Sequence, residues 1–301
     1  MHLGRDIDNR RAAGRNARGW IVGDDPHRNR HRTIRRHGVD GRRQSESVND
    51  TQRSWTFTPD EFAWVWGETG RDEYPEPIAI LETPTTEDEY AVLCAELSQR
   101  YPRDGDPDRL GPLRVLAEPD LRLICSGTVG HPSRRIRSVG AAIADLGVVL
   151  FQKPGTTPEY GGDIIMRVVP RDRLADHIAA TLPPSPAGAT PQLIGHTPRV
   201  RGEEPPERWG YTQTGDRPAE ERIRSLLRAP RAGEGYLCVE HHPTDPRRAR
   251  TQYLNWIDIH ERHRAAGRYV ISVDANDTVV TPASSEVIGS ELRRRTGTWK
   301  T

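Results

Sequence analysis

Apolar positions recur along this chain with two periods, and caps mark where one gives way to the other. Trp55-Thr-Phe57 reads as a short strand. Thr58-Pro59-Asp60-Glu61 then starts a helix, because proline suits a first turn and acids suit its positive end. Phe62, Val65 and Trp66 follow at i, i+3 and i+4, which makes one apolar face. A second helix is expected over Thr86–Arg100, with Tyr90, Leu93, Cys94 and Leu97 on its stripe. Asp104-Gly-Asp106-Pro-Asp108 has the look of a calcium loop but carries Arg109 and Val115 where glycine and glutamate are needed. It reads as a helix start capped by Asp108 or a neighbour.

Beyond that point the pattern repeats. A helix (Arg109–Ala117), four strands (Asp120–Gly127, Arg134–Ala144, Gly147–Lys153, Asp163–Val169) and a helix (Arg171–Leu182) form one series. A helix (Ala219–Ala229), four strands (Glu234–His241, Arg247–Ile259, Arg268–Asp274, Thr278–Thr281) and a helix (Ala283–Arg295) form the other. An offset of 113 residues lays Leu226 on Leu113, Cys238 on Cys125, Asp258 on Asp145, and Arg247, Arg248 and Arg250 on Arg134, Arg135 and Arg137. The expected architecture is α/β: a central antiparallel sheet with helical subdomains, in two halves related by a pseudo-two-fold axis. Two antiparallel meanders joined edge to edge cover edges that would otherwise be exposed. Pro183 to Pro218 holds eight prolines, so residues 183–218 are expected to be a linker between halves 54–182 and 219–300.

Charge changes the picture at the amino terminus. The whole chain carries 44 Lys+Arg against 43 Asp+Glu, so no net field draws it to nucleic acid or an anionic membrane. Residues 1–50 hold 12 Arg and 7 acids with few large apolar side chains. Such a stretch cannot bury enough surface to offset ordering, and residues 1–53 are expected to be a disordered basic extension. All but two of the 44 bases are arginine, a skew we read as codon usage. No apolar signal region opens the chain, and its longest apolar stretch, Val139 to Phe151, is cut by Asp145. Membrane insertion is not expected, and three scattered cysteines suit a reduced, cytoplasmic setting.

Candidate chemistry is sparse. The chain lacks a nucleophile elbow, a phosphate loop and a dinucleotide fingerprint; Gly127-Thr-Val-Gly130 reads as a hairpin turn. His260-Glu-Arg-His263 is one residue short of the spacing that puts two zinc ligands on one helix face, and His241 and His242 would point to opposite faces of a strand. Cys94, Cys125 and Cys238 sit among apolar neighbours as small hydrophobes. No catalytic residue, metal site or cofactor is expected.

The Trp55-Thr-Phe-Thr-Pro-Asp-Glu-Phe62 opening with its Trp-containing helix resembles the start of the EspG family, the chaperones associated with type VII (ESX) secretion in actinobacteria. Gly162-Asp-Ile-Ile-Met-Arg-Val-Val-Pro170, the helix ending Leu182-Pro183-Pro184, Trp256-Ile-Asp258, Gly267-Arg-Tyr-Val270 and Thr278-Val-Val-Thr-Pro282 are similar too. The resemblance spans about residues 54–297. It implies an EspG-like domain over 54–300 and a non-enzymatic cytosolic chaperone that holds the helical tip of a PPE-type substrate before export. It also implies a partner seated on the sheet and the C-terminal helices, and no particular side chains.

Candidate contacts follow from alternation. In the strand around residue 237, Tyr236 and Cys238 face one way while Leu237 and Val239 face the other. With Ile223 and Leu227 of the preceding helix, Tyr236, Leu237 and Val239 are the candidate partner-binding residues; packing of Leu237 and Val239 under the protein's own helices is the competing expectation. The alternative function is a nucleic-acid-associated protein acting through the Arg-rich arm. Oligomeric state is not legible.

Overall fold

A computed structural model of the chain describes residues 53–205, 217–247 and 250–297. Its strands are β1 (Ser54–Phe57), β2 (Leu121–Val129), β3 (Arg134–Ile143), β4 (Leu146–Pro154), β5 (Gly161–Pro170), β6 (Leu193–His196), β7 (Arg231–His241), β8 (Gln252–Ile259), β9 (Gly267–Val273) and β10 (Asp277–Pro282). All ten join one sheet in the order β1-β5-β4-β3-β2-β7-β8-β9-β10-β6, every neighbouring pair antiparallel. Outward from the β2–β7 junction, the two halves repeat one order of five strands.

That order extends the repeat to a strand not expected from the sequence. Within the 183–218 segment read as a linker, β6 pairs with β10 at the sheet edge, and the short helix α5 (Thr197–Arg201) follows it. The prolines are dense there but flank the strand: Pro191 precedes it, and Pro198 sits in the first turn of α5, where no amide donor is needed. In the first half β1 occupies the matching edge beside β5. The expectation for residues 1–53 falls on residues 1–52, outside the described residues; Arg53 already belongs to the fold, its carbonyl accepting the Val168 amide at 3.0 Å.

Register corrects the 113-residue offset. Ile124 stands opposite Cys238, and Cys125 opposite Leu237. Directly opposed residues share a face and successive ones alternate, so Cys125 and Cys238 point to opposite sides of the sheet. A two-fold axis normal to the sheet keeps every residue on its own face, which an odd offset cannot do. Pro170 and Pro282, 112 residues apart, close β5 and β10 on the same face.

Each face has its own cover. On one, α4 (Leu174–Ala179) and α7 (Ser285–Thr296) pack Leu174, Ile178, Ile288 and Leu292 over Leu123, Cys125, Leu237, Val239 and Trp256. Asp176 of α4 pairs with Arg293 of α7. Trp256 finds room there because Gly127 and Gly235 are its neighbours across β7 and β2. A Cβ on Gly127 would stand 2.4 Å from Trp256 Cζ2.

The other face is covered in two separate patches. Over the first half lie α1 (Pro59–Trp66) and α3 (Pro107–Ala117), with Phe62, Val65, Trp66, Leu113 and Leu116 on Ile124, Val139, Leu150 and Met166. Thr58 and Glu61 close a reciprocal cap on α1, and Asp106 caps α3 through the Asp108 amide at 3.1 Å, the use this structure makes of the acidic Asp104–Asp108 run. Over the second half lies α6 (Ala219–Leu227), whose Ile223 and Leu226 join Ile257, Tyr269, Ile271 and Val280. The remaining helix, α2 (Glu87–Arg100), buries only Leu97.

Candidate partner-binding surface

Between those two patches part of the sheet is uncovered. On β8, Tyr253 is 59% exposed and Asn255 is exposed, although Leu254 and Trp256 between and beyond them are buried. Tyr236 on β7 lies opposite Asn255 and half-buried, with Ser126 of β2 on its other side. The rings of Tyr236 and Tyr253 meet edge to face, centroids 6.2 Å apart.

Polar groups frame this aromatic centre. The Tyr236 hydroxyl donates to Glu76 Oε1 at 3.0 Å, so the segment joining α1 to α2 is held against the strip. Burial, with the Glu76 carboxylate adding to it, pushes the Tyr236 phenol up to about 12. Farther along the same face Arg122 Nε donates to Glu240 Oε2 at 2.6 Å, and Thr251 Oγ1 donates to Glu240 Oε1 at 3.2 Å. Aromatic side chains with satisfied polar neighbours are suited to contact a partner: they add much area and lose little rotamer freedom.

The residues singled out from the sequence divide sharply. Leu237 and Val239 have 0% and 1% exposure and lie in the core under α4 and α7; Ile223, also at 0%, lies in the core under α6. None of the three can touch a partner while the protein is folded, and as contact residues they are corrected. Leu227 is half-buried at the margin of its cluster, and Tyr236 reaches the strip. Sequence reasoning missed Tyr253 and Asn255. Their signal is the alternation Tyr253-Leu254-Asn255-Trp256, with one side polar or amphipathic and the other wholly apolar.

The histidines considered from the sequence and Cys125 have structural settings. His260 Nδ1 accepts the Arg262 amide and His263 Nδ1 the Ala265 amide, which makes both of them turn residues. His241 is buried with Nε2 3.2 Å from the Arg295 carbonyl, and His242 is exposed. Among the described residues no group of three or more His, Cys, Asp or Glu is placed to hold a metal ion. Burial pushes the Cys125 thiol up to about 11, away from the thiolate that reactivity requires. No helix among the described residues is long and apolar enough to cross a membrane.

A family model described as the EspG family matches residues 58–294. The chain belongs to the EspG family. A solved structure similar to this EspG-family chain is that of the Mycobacterium tuberculosis type VII secretion system chaperone EspG5 in complex with the PE25-PPE41 dimer. The TM-score is 0.54 at 16% identity, covering 82% of this chain and 97% of that one, a likeness of fold. No curated protein matches the chain.

Proposed function

We propose that this EspG-family chain is a cytosolic, non-enzymatic chaperone of a type VII secretion system that binds the helical tip of a PPE-type substrate and keeps it soluble until export. One observation carries the reading: among the described residues, a sheet covered on both faces leaves Tyr253, and one side of the half-buried Tyr236 against it, uncovered near its centre. A helical tip supplies the apolar side chains such a strip lacks, and strand and helix margins on either side supply polar contacts. That the similar EspG5 was solved with a PE25-PPE41 dimer supports the substrate class. In this reading residues 53–300 form the working domain and residues 1–52 an extension to it. Leu227, at the margin of α6, belongs to the rim.

The test is co-expression with candidate PPE-type substrates followed by affinity capture. The complex is expected with the unchanged chain and lost with Tyr253→Asp, which stays folded by circular dichroism. A folded Tyr253→Asp chain that still captures the substrate would remove the strip from the interface.

A further inference from the structure

Helix α2 carries an apolar stripe that the protein covers only in part. Tyr90, Leu93, Cys94 and Leu97 fall at i, i+3, i+4 and i+7, yet only Leu97 is buried; Leu93 and Cys94 are half-buried and Tyr90 is 51% exposed. Leu81, six residues before the helix, is open as well, and so is Val92 on the side of α2 opposite the stripe. The helix is well formed despite this, since Thr86 and Glu89 close a reciprocal cap at its start.

The chain segment that carries the stripe is strongly acidic, although Glu68 and Asp108 are paired with Arg109 and Arg53 just outside it. Residues 60–108 contain 14 Asp+Glu against 3 Arg, a net charge of −11 in a chain whose total is +1. All three arginines are engaged: Arg71 pairs with Glu118, Arg100 with Glu61, and Arg103 lies over the Trp64 ring. Glu87, Asp88 and Glu96 of α2 have no ion-pair partner among the described residues.

We propose that the uncovered edge of the α2 stripe, around Tyr90, is a docking surface for a cationic amphipathic helix of a protein partner. The stripe offers apolar anchors at helical spacing, and the acids beside it match a partner whose own apolar ridge is flanked by Arg or Lys. The same charge repels nucleic acid and anionic bilayers. A second copy meeting this face through its own equivalent face would set acid against acid. The surface is separate from the Tyr236–Tyr253 strip, and the proposal stands or falls without it.

The probe is a fluorescein-labelled synthetic helix with leucine on one face and arginine on the other, titrated with the full chain by anisotropy. Saturable binding is expected, weaker as salt rises and the Debye length falls below about 10 Å. Tyr90→Ser should weaken it by about tenfold through lost apolar contact. Glu96→Lys should weaken it too, with both variants folded by circular dichroism, whereas Tyr253→Asp should leave it unchanged. Absence of saturable binding overturns the proposal. So does equal binding of a scrambled peptide of the same charge, or binding that neither variant alters. If instead the unliganded chain is a dimer that Tyr90→Ser converts to monomer, a second copy is the occupant and the proposal fails.

Discussion

Arg268 and Asp258 form a two-pronged ion pair inside the sheet's covered face. Arg268 Nε and Nη2 each donate to one carboxylate oxygen of Asp258 at 2.7 Å, and the arginine has no exposure. The same Nη2 donates to the Pro183 carbonyl at 2.8 Å, while the guanidinium lies over the Trp256 ring. The pair therefore ties the chain leaving the first half to β8 and β9 of the second. Asp258→Ala leaves a buried cation without its counter-ion and is expected to cost about 3–5 kcal/mol, read from the urea midpoint. The double variant Asp258→Leu/Arg268→Met should be milder, and a double variant worse than the single one would contradict this account.

Gly127 tests the packing of Trp256. An added Cβ meets Trp256 Cζ2 at 2.4 Å and the Glu234 carbonyl oxygen at 2.5 Å, and that backbone oxygen cannot swing away. Gly127→Ala is expected to lower stability by about 1–3 kcal/mol, measured as a shifted denaturation midpoint at unchanged slope.

Two aspartate substitutions separate core from surface. Leu237→Asp places a carboxylate among Cys125, Val239 and the α4 and α7 side chains, and the chain should fail to fold. Tyr253→Asp is mostly exposed and should leave the chain folded, with only a small loss of stability from the Tyr236 ring contact. A folded Leu237→Asp protein would mean that α4 and α7 leave this face accessible.

Tyr236 predicts a change at high pH. Its phenol is raised above the ordinary value of 10.0 to about 12, so the folded state holds this proton more tightly than the unfolded one. The resulting stability is full below pH 10 and fades as pH rises toward 12. Comparing phenolate absorbance of the native chain with Tyr236→Phe should reveal one group missing from the late part of the titration. Identical curves would place the Tyr236 titration elsewhere.

Thiol labelling should follow burial. Cys94 is partly exposed, whereas Cys125 and Cys238 are buried on opposite faces. In native protein at pH 8 one thiol per chain is expected to react quickly, and the other two only when urea unfolds the sheet. Fast reaction of all three would show that the two covered faces open readily.

Much of the fold was legible because its signals are local. Thr58 with Glu61 and Thr86 with Glu89 announce helix starts three residues apart, and both caps form. The strands of both meanders also lie near their expected places, because alternation is a property of consecutive residues. The site was less legible. Leu237, Val239 and Ile223 were attractive as contacts for the same apolar character that makes them core, and alternation says which residues share a face without saying which face is covered.

What the sequence determined by itself is therefore most of the elements, their caps, the repeated order of the meanders and the EspG-like motifs that place the chain in its family. Tertiary structure decided three further things: the sides on which Cys125 and Cys238 fall, the recruitment of Leu193–His196 as an edge strand, and the bare strip at Tyr236 and Tyr253. The physical reason is range. Caps and alternation are fixed by neighbours in the chain, whereas face and cover depend on the register of β2 against β7, strands more than a hundred residues apart. A shift of one residue in that register would turn every side chain of one strand to the opposite face of the sheet, and so into the wrong one of two differently packed cores.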